Sequence, residues 1–351
     1  MISKSVKFLI VIIVILILAA GFAADNSFAG VDEQVLDRYP AAAPSPEEKA
    51  KQRDFFAEQA ERFHLTGFVN VQQGYDNNTD LDPNRYKDGF LQGLQNAEVT
   101  YEAADDLDLK IGLDLFEAMY YNRNYNNILD VVPYLGFDYE VMPDLIWGGM
   151  VKYDYFSYPN EKENTFSGLV VSTYLRQYLL DNVYHEVGYE YLHRWYPDWK
   201  TSISYNDFRQ SDNDRSDSIN RLKYHMGVSL GRLVVRLANE FHWNSSSERY
   251  QNYYDYLTYR LKPSVMFFFT EKFYTDLNLV YRYNKYHDRK ATDGTGKGVY
   301  ENNYIFNATL YYDIAKNITL GLTYSYTENQ SNDPYNKYSG SIFSGGVYYN
   351  F

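Results

Sequence analysis

The sequence predicts an all-β protein, a transmembrane antiparallel up-and-down β-barrel of about fourteen strands. Three observations predict this class. Apolar and polar residues alternate along many successive segments, as in strands that expose one face to lipid and the other to the barrel interior. Short and long connections alternate between these segments. The chain has 39 tyrosines but a mean hydropathy of only -0.51, which fits strands that show lipid half of their residues and carry aromatic girdles.

The chain starts with the features of a secretory signal peptide. A short basic stretch precedes an uninterrupted apolar run from Phe8 to Ala20, and small residues follow at two cleavage points, after Ala23 and after Ala29. The run is shorter than the roughly 20 residues that a membrane-spanning helix needs. We therefore expect residues 1–23 to be removed, with cleavage after Ala29 as the alternative. The chain has no cysteine, which excludes disulfides and a lipid-modified amino terminus.

Residues 24–63 form a segment of their own before the predicted barrel at 64–351. Ser45 is a suitable N-cap, Pro46 stands at the first helical position, and Glu48 follows three residues after the cap. These residues predict a helix over 46–62, about 25 Å long. Two placements stay open: a periplasmic helix against the barrel rim, or a plug inside the lumen.

The alternation predicts where each strand lies. A strand of ten residues tilted by about 45° covers roughly 24 Å, the height of an outer-membrane apolar band. We expect strands at 64–76, 91–103, 107–121, 130–141, 145–156, 165–179, 183–195, 220–230, 233–244, 253–269, 273–286, 304–314, 317–327 and 339–351. Six tight turns and seven longer loops connect them, the longest at 196–219, so both ends of the barrel lie on the same side of the membrane. A count that differs by one hairpin remains open.

The last strand, Phe343 to Phe351, alternates apolar and mostly polar residues and ends on an aromatic residue. It resembles the terminal strand of bacterial outer-membrane β-barrels. The resemblance implies that Phe351 is the assembly signal, that the barrel assembly machinery is a partner, and that the chain resides in the outer membrane among its lipids.

The interior face of the predicted strands carries charges of opposite sign on opposite walls. Seven acids of interior parity lie on the second to fifth strands: Glu98, Glu102, Asp108, Asp114, Asp138, Glu140 and Asp154. Six bases lie on the eighth to eleventh strands: Arg221, Lys223, Arg236, Arg260, Lys262 and Arg282. If these side chains line a water-filled pore, they create a transverse field that sets ion selectivity. The alternative is a set of ion pairs that closes a packed interior.

The interior also carries aromatic residues. The tyrosines of interior parity are Tyr120, Tyr134, Tyr174, Tyr178, Tyr184, Tyr254, Tyr256, Tyr274 and Tyr348. Aromatic rings stack on sugar rings, so these residues fit a saccharide path, although core packing explains them equally well. The net charge of -13 excludes nucleic acid as a partner, because phosphate binding needs a basic surface.

Catalytic and metal motifs are weak. His242 and Asn244 have interior parity and adjoin Ser245, so they lie on the wrong side for hydrolysis of membrane lipid. The alternating run Asp76, Asn78, Asp80 and Asp82 is similar to a calcium loop but lacks its central glycine and its final acid. We therefore predict no enzymatic activity, no metal and no cofactor.

The segment Gly74 to Leu81 resembles the first hairpin of barrels in surface lipoprotein assembly modifiers and exopolysaccharide secretion pores. The sequence predicts a porin-like channel for passive passage of small polar or charged solutes, saccharides among them. One alternative is a secretion-type barrel that exports a polysaccharide or a surface lipoprotein with periplasmic partners. Another is a plugged structural barrel that presents surface loops.

Overall fold

The computed structural model describes residues 62–81 and 83–351. The predicted signal peptide and almost all of the predicted helix over 46–62 lie outside the described residues. Among the helices that the structure describes, none is both long enough and apolar enough to cross a membrane.

Fourteen antiparallel strands follow one another in chain order, and the last strand pairs with the first to close a barrel. This confirms the predicted fold class and strand count. The strands are β1 (Phe63–Asp76), β2 (Asp88–Ala104), β3 (Leu107–Tyr120), β4 (Ile128–Met142), β5 (Leu145–Ser157), β6 (Phe166–Leu180), β7 (Val183–Ser204), β8 (Asp207–Leu230), β9 (Leu233–Ser246), β10 (Tyr256–Phe268), β11 (Phe273–Lys290), β12 (Gly298–Ala315), β13 (Ile318–Ser331) and β14 (Tyr338–Asn350). Single-turn 3-10 helices occupy longer connections at Asn124–Asn126, Lys162–Asn164, Tyr250–Asn252 and Pro334–Asn336.

The chain forms two compact units. One contains the described residues 62–65 and 100–102, where His64 Nε2 lies 2.7 Å from Glu102 Oε1 and the rings of Phe63 and Tyr101 stack with centroids 4.6 Å apart. The other unit contains the remaining described residues.

Alternate residues of the strands expose large apolar side chains. Ile111 is 57% exposed, Leu135 61% and Leu322 66%, whereas their neighbours along each strand are polar or small. The strand period of two sends these side chains to the outer face of the closed barrel, where lipid rather than water is the favourable surrounding. The exposed apolar surface is therefore a belt for the membrane.

The carboxyl-terminal residue forms part of the seam of the barrel. In the pairing of β1 with β14, Val71 lies opposite Val347. Beyond β14, Phe351 exchanges two backbone hydrogen bonds of 3.0 Å with Gly67. A Cβ at Gly67 would collide with the Phe351 ring. The last residue thus contributes both backbone pairing and packing at closure.

Interior tyrosines lie flat against glycines of neighbouring strands. Tyr134 covers Gly112, and Tyr174 covers Gly148, so closely that a Cβ at either glycine would collide with the ring. Glycine is required here because it alone lets another side chain contact the backbone of the strand. These tyrosines hold adjacent strands together.

The prediction of a loop over 196–219 is wrong. Residues 196–219 lie almost entirely in strand, because β7 extends to Ser204 and β8 begins at Asp207. The pairing is irregular there, with Lys200 opposite Asp214 but Tyr196 opposite Arg215. This hairpin has no continuous apolar face, so the alternation used to find strands is weak, although backbone hydrogen bonds still form.

Candidate functional site

Three of the predicted interior acids have polar partners on the inner face, and a fourth lines a cavity. Tyr134 Oη donates to Glu98 Oε2 over 2.9 Å. Asn96 Nδ2 donates to Asp114 Oδ1 over 2.6 Å, and Lys152 Nζ lies 3.9 Å from the other oxygen of Asp114. Two further contacts belong to Asp138, which lies 2.8 Å from Lys110 Nζ and accepts a hydrogen bond from Tyr174. Asp154 contributes to a cavity that it shares with Asp130 of β4.

The other three predicted acids lie elsewhere along their strands. Asp108 is opposite Asp138 in the pairing of β3 with β4. Glu140 is exposed near the turn between β4 and β5. The partner of Glu102 is His64, and 53% of the Glu102 side chain is exposed.

The predicted bases divide into paired and unpaired groups. Arg221 and Lys223 both contact Glu190, at 2.6 and 2.5 Å, and Arg260 lies 3.3 Å from Glu240. Within the described ranges, the remaining three have no carboxylate oxygen within 4.0 Å; these are Arg236, Lys262 and Arg282.

The strand register explains why Arg260 has a carboxylate partner and why, among the described residues, Arg282 has none within 4.0 Å. One row of side chains crosses four adjacent strands in the order Lys223, Glu240, Arg260 and Arg282. Arg282 is therefore next to another arginine and away from the acid. Glu190 and Glu240 neutralise part of the basic wall, and Lys110 and Lys152 neutralise part of the acidic wall.

Water reaches these interior charges. The exposed fraction of the side chain is 39% for Asp114, 30% for Lys152 and 29% for Arg260. Charged groups in a packed interior would be almost fully buried, since a buried ion pair excludes water. The middle of the barrel therefore has room for solvent around its ion pairs.

An arginine and aromatic cluster lies at the end of the barrel that carries the longer connections, called here the outer end. Arg215 forms a bidentate ion pair with Asp217, with Nη2 2.6 Å from Oδ2, and the two side chains are only 7% and 4% exposed. The Arg215 guanidinium also lies 3.4 Å from the ring centroid of Tyr254, 4.4 Å from Tyr196 and 4.8 Å from Trp199. The sequence prediction missed this cluster, since it assigned Arg215 to a loop.

Seven aromatic rings continue from this cluster around the outer end. Successive centroids are 5.0 to 6.4 Å apart along the series Tyr158, Phe156, Phe166, Tyr196, Trp199, Tyr254 and Tyr253. The spacing is that of ordinary aromatic contacts. Only Tyr254 of this series was among the predicted interior tyrosines. Short aromatic spacing in the segments 156–166 and 196–199 was the signal available in the sequence.

Two cavities adjoin these rings. The larger has a volume of about 570 Å³ and is lined by Asp130, Asp154, Phe156, Tyr158, Asn164, Phe166, Arg194, Tyr196, Trp199, Arg215 and Tyr254. The smaller has about 320 Å³ and contains Glu163, Glu248 and Tyr250 in its wall. Trp199 and Tyr254 belong to both walls.

The acidic run after β1 binds another loop of the protein. Asp80 accepts hydrogen bonds from Tyr125 Oη at 2.8 Å and Asn126 Nδ2 at 2.9 Å, and Arg123 lies 3.4 Å away. Partial burial opposes ionisation of Asp80, but the bonds from Asn126, Tyr125 and Thr79 and the charge of Arg123 lower the pKa of its carboxyl. This loop thus anchors the connection between β3 and β4.

The residues of the weak catalytic motif have structural partners. His242 Nε2 lies 2.8 Å from Glu240, and Asn244 Nδ2 donates to the backbone oxygen of Tyr254 over 2.6 Å. Over residues 62–81 and 83–351, no three histidine or carboxylate side chains are grouped as metal ligands.

No protein-family model matches the chain, and no curated protein matches its sequence. Among solved structures, OmpT of Vibrio cholerae is similar at a TM-score of 0.47 and 11% identity, over 83% of this chain and 98% of that one. An anion-selective porin from Comamonas acidovorans has a TM-score of 0.46 and 8% identity, over 82% of this chain and 99% of that one. A bacterial polysaccharide outer membrane secretin has a TM-score of 0.44 and 11% identity, over 81% of this chain and 97% of that one.

The strand order and surface of the chain itself indicate its class. A closed antiparallel barrel has no unpaired sheet edge, and this one combines an outward apolar belt with a charged interior. A barrel with that arrangement satisfies its backbone hydrogen bonds within a bilayer. The chain is a transmembrane antiparallel β-barrel protein of fourteen strands.

Proposed function

We propose that the barrel is an outer-membrane channel for passive passage of small polar or charged solutes. The observation that carries this proposal is the set of interior ion pairs that remain partly accessible to water, such as Asp114 with Lys152. A continuous path through such groups replaces part of the hydration of a solute, which an apolar interior does not.

The distribution of charge supports a selective channel. Acids exceed bases on β2 to β5, and bases exceed acids on β8 to β11, on strands that lie on opposite sides of the barrel. Local ion pairs reduce the resulting field. We attribute the remaining transverse field to the bases without a close carboxylate partner, Arg236, Lys262 and Arg282.

A charge-reversal experiment tests this proposal. Each unit charge acts on an ion about 8 Å away with about 2 kcal/mol at an effective dielectric constant of about 20, before salt screening. Replacing Arg236, Lys262 and Arg282 together by glutamate should increase the single-channel preference for cations. We expect the reversal potential in a salt gradient to shift in that direction.

A matched control places the same change outside the interior. Replacing Lys162, Lys297 and Lys337, which lie in three of the longer connections, by glutamate should change the reversal potential much less, because screening by salt is stronger at exposed sites. Wild-type protein without conductance would contradict the channel and favour the plugged barrel. An open channel with unchanged selectivity in the interior variant would contradict the assignment of these three bases to the pore.

A further inference from the structure

We infer that the two cavities at the outer end form one binding site for a neutral oligosaccharide that enters the lumen. This inference rests on the proposed channel and specifies one class of solute. It follows from the volumes of the cavities, their aromatic walls and the sign of their charges.

The cavities adjoin each other. Trp199 and Tyr254 belong to both walls, and the volumes are about 570 and 320 Å³. Each volume falls within the range of about 300–1,000 Å³ that is usual for small-molecule sites. Two such spaces on either side of shared aromatic residues suit a ligand of repeated units better than a single compact one.

The aromatic residues provide stacking surfaces. Six of the eleven residues around the larger cavity are Phe, Tyr or Trp. Trp199 and Tyr254 are only half-buried, so part of each ring remains available. Phe166 and Tyr196 are 8% and 7% exposed, and the ring of Tyr196 contacts that of Trp199 with centroids 6.4 Å apart. The apolar faces of sugar rings pack on such surfaces.

Acids exceed bases in the walls of the two cavities. Asp130 and Asp154 lie in the larger wall with Arg194 and Arg215, but Arg215 already has Asp217 as its partner. The smaller wall adds Glu163, Asp198 and Glu248 against Lys200. This excess of acids repels an anionic ligand. A hydroxyl group suits charges of both signs, because it donates to a carboxylate and accepts from a guanidinium. The lining therefore favours a neutral polyhydroxyl ligand over an acidic one.

Trp199 provides a direct signal of binding. The chain has four tryptophans, and the other three, Trp147, Trp195 and Trp243, are exposed on the apolar outer face at 46%, 44% and 38%. A variant with these three replaced by phenylalanine leaves Trp199 as the single fluorophore. Titration of this full-length variant in detergent should change its fluorescence when a ligand fills the cavities.

The experiment uses glucose, maltose, maltotriose and maltohexaose, the β-linked cellotriose, and an acidic oligogalacturonate as probes. Binding is measured from Trp199 fluorescence and from block of single-channel current. We expect affinity to rise from glucose to maltotriose, and the acidic oligomer to bind more weakly than the neutral trisaccharides. The substitution Trp199→Ala should raise the Kd about tenfold, which corresponds to about 1.4 kcal/mol of binding free energy.

Two further variants separate the site from the fold. Trp199→Phe keeps an aromatic ring and should retain most of the affinity in the current assay. Trp243→Ala removes a tryptophan on the lipid-facing side and should leave the current block unchanged. If Trp199→Ala fails to insert, the wild-type current block and the fluorescence of the single-tryptophan variant still decide the question.

The outcomes distinguish the inference from the proposed function. A conducting channel that no neutral oligosaccharide blocks, with unchanged Trp199 fluorescence, would overturn the inference and leave the channel intact. Tighter binding of the acidic oligomer would also overturn it. Binding without any conductance would support the site and contradict the channel.

Discussion

The buried ion pair of Arg215 and Asp217 should be a major source of stability at the outer end. Both side chains are less than one-tenth exposed, and they form two hydrogen bonds with each other, of 3.1 and 2.6 Å. Replacing Arg215→Ala removes the partner of a buried carboxylate, a change that typically costs about 3–5 kcal/mol. It also removes the cationic contacts with Tyr254, Tyr196 and Trp199.

The same hairpin contains a matched control. Lys200 and Asp214 also form an ion pair, at 2.5 Å, but their side chains are 41% and 52% exposed. Replacing Lys200→Ala should therefore cost only about 0–1 kcal/mol, since water and salt screen an exposed pair. The two variants differ chiefly in burial.

The assay is reversible urea unfolding of the full chain in lipid vesicles, followed by tryptophan fluorescence. Hydrogen exchange of residues 196–214 separates local opening of the hairpin from global unfolding. The double variant Arg215→Met with Asp217→Asn should recover part of the loss, because it leaves no buried charge without a partner. Equal effects of Arg215→Ala and Lys200→Ala in both measurements would refute this reasoning.

Three other predictions concern the barrel and its loops. Gly148→Ala should lower the free energy of unfolding by about 1–3 kcal/mol, because its Cβ collides with Tyr174, whereas Gly93→Ala has room and should be nearly neutral in the same urea experiment. Deleting Phe351 should lower the amount of protein inserted in the outer membrane, as measured by fractionation. Tyr335→Ala, at a loop position that is 75% exposed, should not lower it. A normal amount of the Phe351 deletion variant in the outer membrane would argue against an assembly signal. The pKa of Asp80 is lowered below its ordinary 3.8, so its contribution is complete above that pH and is lost as the pH falls through the lower value. Protection from hydrogen exchange at 77–81 and 125–126, corrected for the intrinsic exchange rate at each pH, should therefore decrease at acidic pH, and Asp80→Asn should reduce that pH dependence.

The sequence predicted the barrel because lipid imposes a simple pattern on it. Only strands within the apolar band must alternate, and tight turns such as Pro143 to Asp144 separate them clearly. Beyond that band the pattern weakens, because no lipid requires one face of the strand to be apolar. The hairpin at 196–219 lies in this category, and its polar sequence was mistaken for a loop.

The site was less predictable than the fold. Parity alone places Arg260 and Arg282 on the interior face, but strand register decides that Arg260 lies beside Glu240 and that Arg282 does not. The Arg215 cluster depends on residues from separate strands and loops, including Tyr196 and Tyr254. Such contacts follow from three-dimensional packing, which one sequence without its pairing register does not specify.

The most direct test of a conducting interior is accessibility to a charged reagent within an open channel. The chain has no cysteine, so a single introduced thiol reports one position. Lys152→Cys places the thiol on the interior face, and Val151→Cys places it on the outer face, where Val151 is 46% exposed. A charged methanethiosulfonate reagent should produce a permanent step in the single-channel current of the Lys152→Cys variant and none with Val151→Cys. An unchanged current, despite modification of the Lys152→Cys variant verified by mass spectrometry, would contradict a conduction path through the barrel interior.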